Sequence, residues 1–256
     1  MRRVRVIPTL LIQNGRLVKS FKFKKHDYLG DPINAVRIFN DKQVDELALL
    51  NISTDRHKKE INYDFIEQIV SEAFMPIAFG GGIKNIDQIR KILNLGVEKV
   101  VINKSLSNKD LIRNAASEFG SQSILASIDI NKNFLGKEGV YLDNGRKKWS
   151  SNTLGFAIEC EKLGIGEIIL HSIYKDGTYN GYDLELLKKV SDEVSIPVVA
   201  LGGASSIEDF YKAVESGASA VAAGSLFAYS GKREGVLINY PKQIELKEKL
   251  FNRLTR

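Results

Sequence analysis

Ala78-Phe79-Gly80-Gly81-Gly82 and Ala200-Leu201-Gly202-Gly203-Ala204 are the two stretches that decide the fold of this chain. In each, apolar residues typical of a buried strand run directly into consecutive glycines, and helical periodicity follows. A second pair of similar segments has nearly the same spacing along the sequence: the residues around Glu46 resemble those around Glu167, 121 positions later. An internal repeat of this kind indicates two similar halves.

Eight apolar, β-rich runs alternate with stretches of helical periodicity along the whole sequence. Parallel strands that are covered on both faces have this near-continuous apolar character. Eight strand–helix units predict an α/β protein, a closed (β/α)8 TIM barrel built from two similar half-barrels. With no linker between the halves, residues 1–256 are expected to form a single domain. The predicted strands are residues 4–12, 46–52, 77–79, 99–102, 124–130, 167–172, 198–201 and 220–223.

Composition narrows the function classes. The hydrophobic fraction of 43% and the charged fraction of 27% are ordinary for a globular protein. The single cysteine, Cys160, excludes an internal disulfide and is expected to be a buried, inert thiol. No stretch approaches the roughly 20 apolar residues of a membrane span, and no signal peptide is indicated, so a cytoplasmic location is expected. We predict no metal and no cofactor.

The net charge of +6 suits a nucleic acid, a phosphorylated metabolite or an acidic partner subunit. Glycines at the ends of the third, seventh and eighth strands favour the metabolite, because bare backbone N–H groups can approach a phosphate closely. Two such sites across one barrel mouth imply a substrate that is phosphorylated at both ends. We expect substrate or phosphate contacts from Lys19, Gly81, Gly82, Asn103, Ser172, Asp176, Gly177, Gly202, Gly203, Gly224 and Ser225.

Acid–base candidates also follow strand ends. Asp129 ends the fifth strand, where a carboxylate faces the pocket and can work as a general acid or base. Asp176, in Asp176-Gly177 after the sixth strand, is either a second such group or a turn residue. His171 and Ser172 are expected to line the pocket, with His171 as a hydrogen-bonding wall residue.

Segment 13–31 is long for a connection between a strand and a helix. It is either a lid over an anionic substrate or a solvated basic loop. Its cationic side chains are Arg16, Lys19, Lys22, Lys24, Lys25 and His26.

Charged residues at four strand starts mark the opposite end of the barrel. Arg5, Glu46, Lys99 and Glu167 are two cations and two anions, which can pair into a ring across the barrel axis. From the residues alone, such a ring is a stabilising plug, because bottom-face features usually serve stability.

Taken together, these motifs resemble the HisF family, the cyclase subunit of imidazole glycerol phosphate synthase, over essentially the whole chain. The matching segments are Asn14-Gly15-Arg16-Leu17-Val18-Lys19, Gly30-Asp31-Pro32, Val44-Asp45-Glu46-Leu47, Gly80-Gly81-Gly82-Ile83, Phe119-Gly120-Ser121-Gln122, Gly164-Ile165-Gly166-Glu167, Asp176-Gly177-Thr178, Gly181-Tyr182-Asp183 and Leu201-Gly202-Gly203-Ala204.

The resemblance implies a partner and a reaction. In the family, a glutaminase subunit docks on the barrel bottom, and ammonia passes through the barrel to the mouth. There it reacts with a bis-phosphorylated ribulosyl aminoimidazole carboxamide ribotide, giving imidazole glycerol phosphate and an aminoimidazole carboxamide ribotide. The four charged residues Arg5, Glu46, Lys99 and Glu167 match the family's ammonia gate in full.

Two positions depart from the family pattern. The family has an essential aspartate at the end of the first strand, paired across the mouth with the aspartate matched by Asp129, and Leu11 stands in its place. Asn51 stands where the family usually has another aspartate. Leucine cannot transfer a proton, and loss of a general acid or base typically costs about 10²- to 10⁴-fold in rate.

An intact ammonia end with an altered cyclase end is similar to the divergent HisF-like proteins of surface-polysaccharide clusters. These are thought to work with a HisH-like glutaminase and to supply ammonia to a separate sugar amidotransferase, and this is the preferred expectation. The alternative is an authentic cyclase subunit of histidine biosynthesis that tolerates Leu11. A basic nucleic-acid-binding protein is a third possibility, although the sequence has no aromatic–basic platform and no groove-reading helix.

Overall fold

Eight parallel strands form a closed barrel in a computed structural model that describes residues 4–53, 60–230 and 235–254. β1 pairs with β2 on one side and with β8 on the other, with Arg5 opposite Ala220, which closes the sheet. The predicted (β/α)8 barrel is therefore confirmed. The strands are β1 (Arg5–Gln13), β2 (Leu47–Asn51), β3 (Ile77–Gly80), β4 (Lys99–Ile102), β5 (Ile124–Lys132), β6 (Glu167–Ser172), β7 (Val198–Leu201) and β8 (Ala220–Ala223).

Helices connect the strands around the outside, and most begin at a residue whose side chain caps them. Asp31, Asn85 and Asn108, for example, each accept a hydrogen bond from the backbone N–H three residues on, which satisfies a donor that the helix cannot. The helices are α1 (Pro32–Asp41), α2 (Tyr63–Glu72), α3 (Ile86–Asn94), α4 (Lys109–Phe119), α5 (Thr153–Lys162), α6 (Leu184–Ser191), α7 (Ile207–Glu215), α8 (Ser225–Ala228) and α9 (Gln243–Leu246), the last followed by a π-helical turn, Lys247–Phe251.

Two β-hairpins extend the barrel beyond its mouth, and the sequence had indicated neither. Segment 13–31 is not a loop: Arg16–Phe21 pairs antiparallel with β1 and with Lys25–Gly30. The first of these strands is held against the barrel by four consecutive buried residues, Leu17, Val18, Lys19 and Ser20. We call these two strands the first hairpin. A second hairpin, Glu138–Leu142 with Lys147–Ser150, continues from β5.

Apolar side chains fill two concentric regions. The larger lies between strands and helices and contains Cys160, where burial raises the pKa of the thiol to about 12, as expected for an inert cysteine. The smaller fills the barrel interior with mostly short side chains, namely Ile7, Ala48, Ala78, Val101, Leu125, Ile169, Val199, Leu201, Ala220 and Ala222. Within the described ranges, no helix is both long enough and apolar enough to cross a membrane.

The outer core supports a stability prediction. Phe210 on α7 is fully buried, whereas Phe134 is 93% exposed. We expect Phe210→Ala to lower the free energy of unfolding by about 3–5 kcal/mol, because it removes buried surface and leaves a cavity. Phe134→Ala should change it by less than about 0.5 kcal/mol. Urea denaturation of both variants checks this, and equal effects would contradict the placement of α7 against the barrel.

Candidate active site

Glycine loops gather at one end of the barrel, the mouth, where all eight parallel strands terminate. Gly81 has φ +116°, and a Cβ there would lie 2.1 Å from the carbonyl oxygen of Asn51. Gly203 has φ +102°, and a Cβ there would lie 2.4 Å from the carbonyl oxygen of Gly181. Only glycine fits either position. Both glycine loops lie on the same face of the barrel, as the sequence had indicated.

Two neighbouring cavities open at this mouth. A large one of about 480 Å³ lies over the first half-barrel, and the predicted site residues Gly81, Gly82, Asn103 and Asp129 line it. A small one of about 20 Å³ lies over the second half. The predicted residues that line the small cavity are Lys19, Asp176, Gly177, Gly202, Gly203, Gly224 and Ser225. Ser172 is buried nearby but lines neither cavity.

Asp129 lies at the floor of the large cavity and is 5% exposed. Its carboxylate accepts hydrogen bonds from the Ser127 hydroxyl at 3.1 Å and from the Asn103 side-chain amide at 3.1 Å. Burial, with a smaller contribution from the nearby Asp176 carboxylate, raises the pKa of Asp129 to about 7 despite these bonds. A carboxyl group with this pKa can both give and accept a proton near neutral pH.

Lys19 and Asp176 form a buried ion pair between the first hairpin and the segment after β6. Lys19 Nζ donates to Asp176 Oδ1 at 2.7 Å, and the Ser20 hydroxyl donates to Oδ2 at 2.6 Å. Burial alone would raise the pKa of Asp176, but Lys19 and these hydrogen bonds lower it overall. Lys19 is therefore not part of a solvated basic loop, and Asp176 is more than a turn residue.

Leu11, on β1, lies across the mouth from Asp129 on β5. It pairs in register with Leu50 on β2 and Val18 on the first hairpin, and its side chain is 6% exposed. It contributes to the lining of both cavities. Asn51, the other departure from the family pattern, accepts a hydrogen bond from the backbone N–H of Ser53 at 3.0 Å.

The four charged residues of the strand starts meet at the opposite end of the barrel. Arg5 donates to both Glu46 and Glu167, and Lys99 Nζ lies 3.0 Å from Glu46 and 3.1 Å from Glu167. Burial of the Arg5 guanidinium would lower its pKa, but the two carboxylates raise it. Each cation thus contacts both carboxylates, and the four side chains form a network that we call the charged ring.

A small internal cavity of about 10 Å³ lies in the barrel interior between the charged ring and the mouth. Glu46 and Glu167 line it at one end, and Thr9 and Leu201 line it at the other. Thr9 and Leu201 also line the small mouth cavity. Sequence reasoning missed Thr9, as well as Ser127 and Ser20, because a lone hydroxyl within an apolar strand carries no motif; only the alternating burial of a strand could have placed it inside.

These features define a (β/α)8 barrel with glycine-lined cavities at its mouth and a charged ring at its base. The family model for histidine biosynthesis proteins matches residues 5–234. "Putative imidazole glycerol phosphate synthase subunit hisF2" of Pseudomonas aeruginosa is 49% identical over 94% of this chain and 97% of that protein. The chain therefore belongs to the HisF family of histidine biosynthesis proteins.

Other relatives have similar names. "Putative imidazole glycerol phosphate synthase subunit HisF" of Leptospira borgpetersenii is 46% identical over 98% of this chain and the full length of that protein. "Imidazole glycerol phosphate synthase subunit HisF" of Alkaliphilus metalliredigens is 39% identical over 88% of this chain and 90% of that protein. The similarity extends over nearly the whole barrel in both cases.

The buried Asp129 supports a pH-dependent stability prediction. Because its folded pKa is raised, its favourable contribution is present below the unfolded pKa and is lost as the pH rises through about 7. Asp129→Asn removes this penalty, so it should raise the free energy of unfolding at pH 8 by on the order of 3 kcal/mol, and by much less at pH 4.

Urea denaturation at both pH values measures the difference. Asp87→Asn is the control, since the Asp87 side chain is 88% exposed, and it should show no such pH dependence. A gain for Asp129→Asn that is the same at pH 4 and pH 8 would contradict the burial of an ionisable group.

Proposed function

We propose that this chain is the barrel subunit of a glutamine amidotransferase, which receives ammonia at the charged ring and conducts it through the barrel to the mouth. The observation that carries this proposal is the alignment of three features on one axis: the charged ring, the apolar interior and the cavities of the mouth. A HisH-like glutaminase is the partner expected at the charged ring.

The barrel interior suits ammonia better than ammonium. Moving an unpaired cation into an apolar interior costs many kcal/mol, whereas a small neutral molecule pays much less. The internal cavity holds only about 10 Å³, and Arg5 bridges both glutamates of the ring. Passage of ammonia therefore requires these ion pairs to rearrange, which makes the charged ring a gate.

The acceptor that we favour is a nucleotide-linked or surface-polysaccharide sugar, amidated by a separate sugar amidotransferase. Support comes from Leu11, which puts an aliphatic side chain into both mouth cavities where the family has a carboxylate. On this proposal the phosphorylated ligand of the mouth regulates or anchors ammonia delivery, and cyclase turnover is slow.

Authentic cyclase activity is the second candidate, and the comparisons favour it more directly. The relatives' printed names are those of imidazole glycerol phosphate synthase subunits. Glycine loops at symmetric positions of the mouth also suit a substrate with a phosphate at each end. On this candidate, another polar group of the mouth performs the proton transfer that Leu11 cannot.

The glutaminase interface predicts a charge effect confined to the base of the barrel. Glu98 is exposed next to the charged ring, and Lys137 is exposed just before the second hairpin, beyond the mouth. We expect Glu98→Lys to weaken binding of a HisH-like glutaminase about tenfold, through reversed charge at the interface. Lys137→Glu should leave the affinity unchanged. Calorimetric titration measures both, and the opposite ranking would mean that the partner docks on the mouth.

A cyclase assay distinguishes the two candidate functions, ammonia supply to a sugar amidotransferase and authentic cyclase activity. With ammonia and the bis-phosphorylated histidine precursor, we expect the parent chain to bind the precursor but to turn over at least 100-fold more slowly than Leu11→Asp, which restores a carboxylate. If the parent matches Leu11→Asp, the cyclase candidate replaces the favoured one. Should Asp176 supply the missing group, Asp176→Asn will abolish the parent's activity.

A further inference from the structure

His171 and Asp129 lie side by side in the mouth, at the same register position of the neighbouring strands β6 and β5. Nδ1 of His171 is 3.6 Å from Oδ1 of Asp129, and the two side chains are 4% and 5% exposed. The ring of Phe23, at the tip of the first hairpin, packs edge-on against the imidazole with 4.8 Å between centroids. The imidazole is therefore fixed in orientation, with one nitrogen directed at a carboxylate.

The other nitrogen, Nε2, is buried and has no hydrogen-bond partner among the described residues. His171 lines both mouth cavities. The ring carbon next to Nε2, Cδ2, lies 3.3 Å from the position of a Cβ on Gly202, which lines the small cavity. The hydroxyl groups of Thr9 and Ser225 line the same cavity and are likewise buried without a partner in the described part of the chain.

Three such residues around one cavity indicate a place where polar atoms of a ligand can bind. Leaving a buried polar atom unsatisfied costs about 1–3 kcal/mol, so native proteins keep few of them. An acceptor bound in the large cavity can satisfy such groups if one of its oxygen or nitrogen atoms reaches into the small cavity. His171 differs from the two hydroxyls because it can also take up and release a proton.

We propose that His171, oriented by Asp129, is the acid–base group of the mouth and supplies through Nε2 the proton transfer for which Leu11 provides no group. The proposal rests on the second candidate function, the cyclase, in which ammonia meets a phosphorylated acceptor at the mouth. Leu11 and His171 line the same two cavities, so an acceptor bound there faces both positions.

The step is the addition of ammonia to a carbonyl carbon of the acceptor. The nitrogen lone pair forms the C–N bond, and the π electrons of the carbonyl move to its oxygen. Nε2 takes one proton from the now cationic nitrogen, and the imidazolium faces the Asp129 carboxylate. Nε2 then gives this proton to the alkoxide oxygen, so that a neutral carbinolamine forms and His171 returns to its starting state. No proton is gained or lost overall.

The charged groups around His171 and its low pKa agree with a role as a proton acceptor. The charged groups that face the imidazole are Asp129 on β5, Asp176 after β6 and Lys19 on the first hairpin. Burial lowers the pKa of His171 to about 4, with Lys19 adding to the shift and Asp176 opposing it, so the imidazole is neutral at pH 7. With Nδ1–H directed at Asp129, the lone pair of a neutral imidazole lies on Nε2.

A titration of the isolated full chain by NMR tests the pair without any assumption about the acceptor. The chain has three histidines, and His171→Gln identifies the resonances of His171. Because Nδ1 of His171 lies only 3.6 Å from the Asp129 carboxylate, ionisation of Asp129 should perturb the imidazole. On the proposal, the resonances of His171 therefore respond to two titration steps in the parent, one of them near pH 7 with Asp129. In Asp129→Asn only the lower step should remain.

The expected tautomer at neutral pH carries its proton on Nδ1. A proton on Nε2, or a single titration step with the same midpoint in the parent and in Asp129→Asn, would overturn the proposal. Thermal unfolding of both variants shows whether they remain folded, and the tautomer of the parent decides the question even if they do not.

Turnover with ammonia and the bis-phosphorylated precursor gives the second readout. We expect His171→Gln to reduce kcat at least 100-fold in the parent but less than 10-fold in Leu11→Asp, where a carboxylate is available. Equal losses in both backgrounds would mean that His171 has only a structural role. If the parent shows no turnover at all, the cyclase candidate fails, and the titration alone then decides whether the pair exists.

Discussion

Closure of the sheet between β1 and β8 is the constraint on which the rest of the molecule depends. Because β1 pairs on both sides, the carboxyl ends of all eight strands meet at one rim and their starts meet at the other. Residues far apart in the sequence, such as Lys19 and Asp176, are thereby brought into contact. Closure also fixes the small radius of the interior, which only short or slender apolar side chains can fill.

Two buried charge networks stand at the two ends of that interior, and they differ in character. The charged ring balances two cations against two anions, so each charge is compensated where it lies. The mouth has Lys19 for Asp176, but no lysine or arginine in the part of the chain that the structure describes forms an ion pair with Asp129. Burial therefore holds the pKa of Asp129 near 7. The charges at the base are thus paired with one another, whereas the mouth contains a carboxyl group that can exchange a proton near neutral pH.

The strand pattern and the repeated glycine segments were sufficient to predict the barrel, because a parallel sheet covered on both faces has a continuous apolar signature. The ring residues and Asp129 could be placed because they stand at strand ends. The first hairpin could not, since its strand Lys25–Gly30 is polar and mostly exposed. The buried pairing of Lys19 depends on that hairpin folding back over β6, a long-range contact that no local motif encodes.

The effect of Leu11 on the mouth depends on the neighbouring groups, Asp129 and His171. A second carboxylate across the mouth from Asp129 would add like charge to a site where burial already disfavours ionisation, and leucine avoids that cost. His171 lines both cavities together with Leu11, and its Nε2, which has no hydrogen-bond partner within the described ranges, can accept a proton. The mouth has therefore not lost its capacity for proton transfer with Leu11. It retains an imidazole that is neutral, oriented and adjacent to a carboxyl group that titrates near neutral pH.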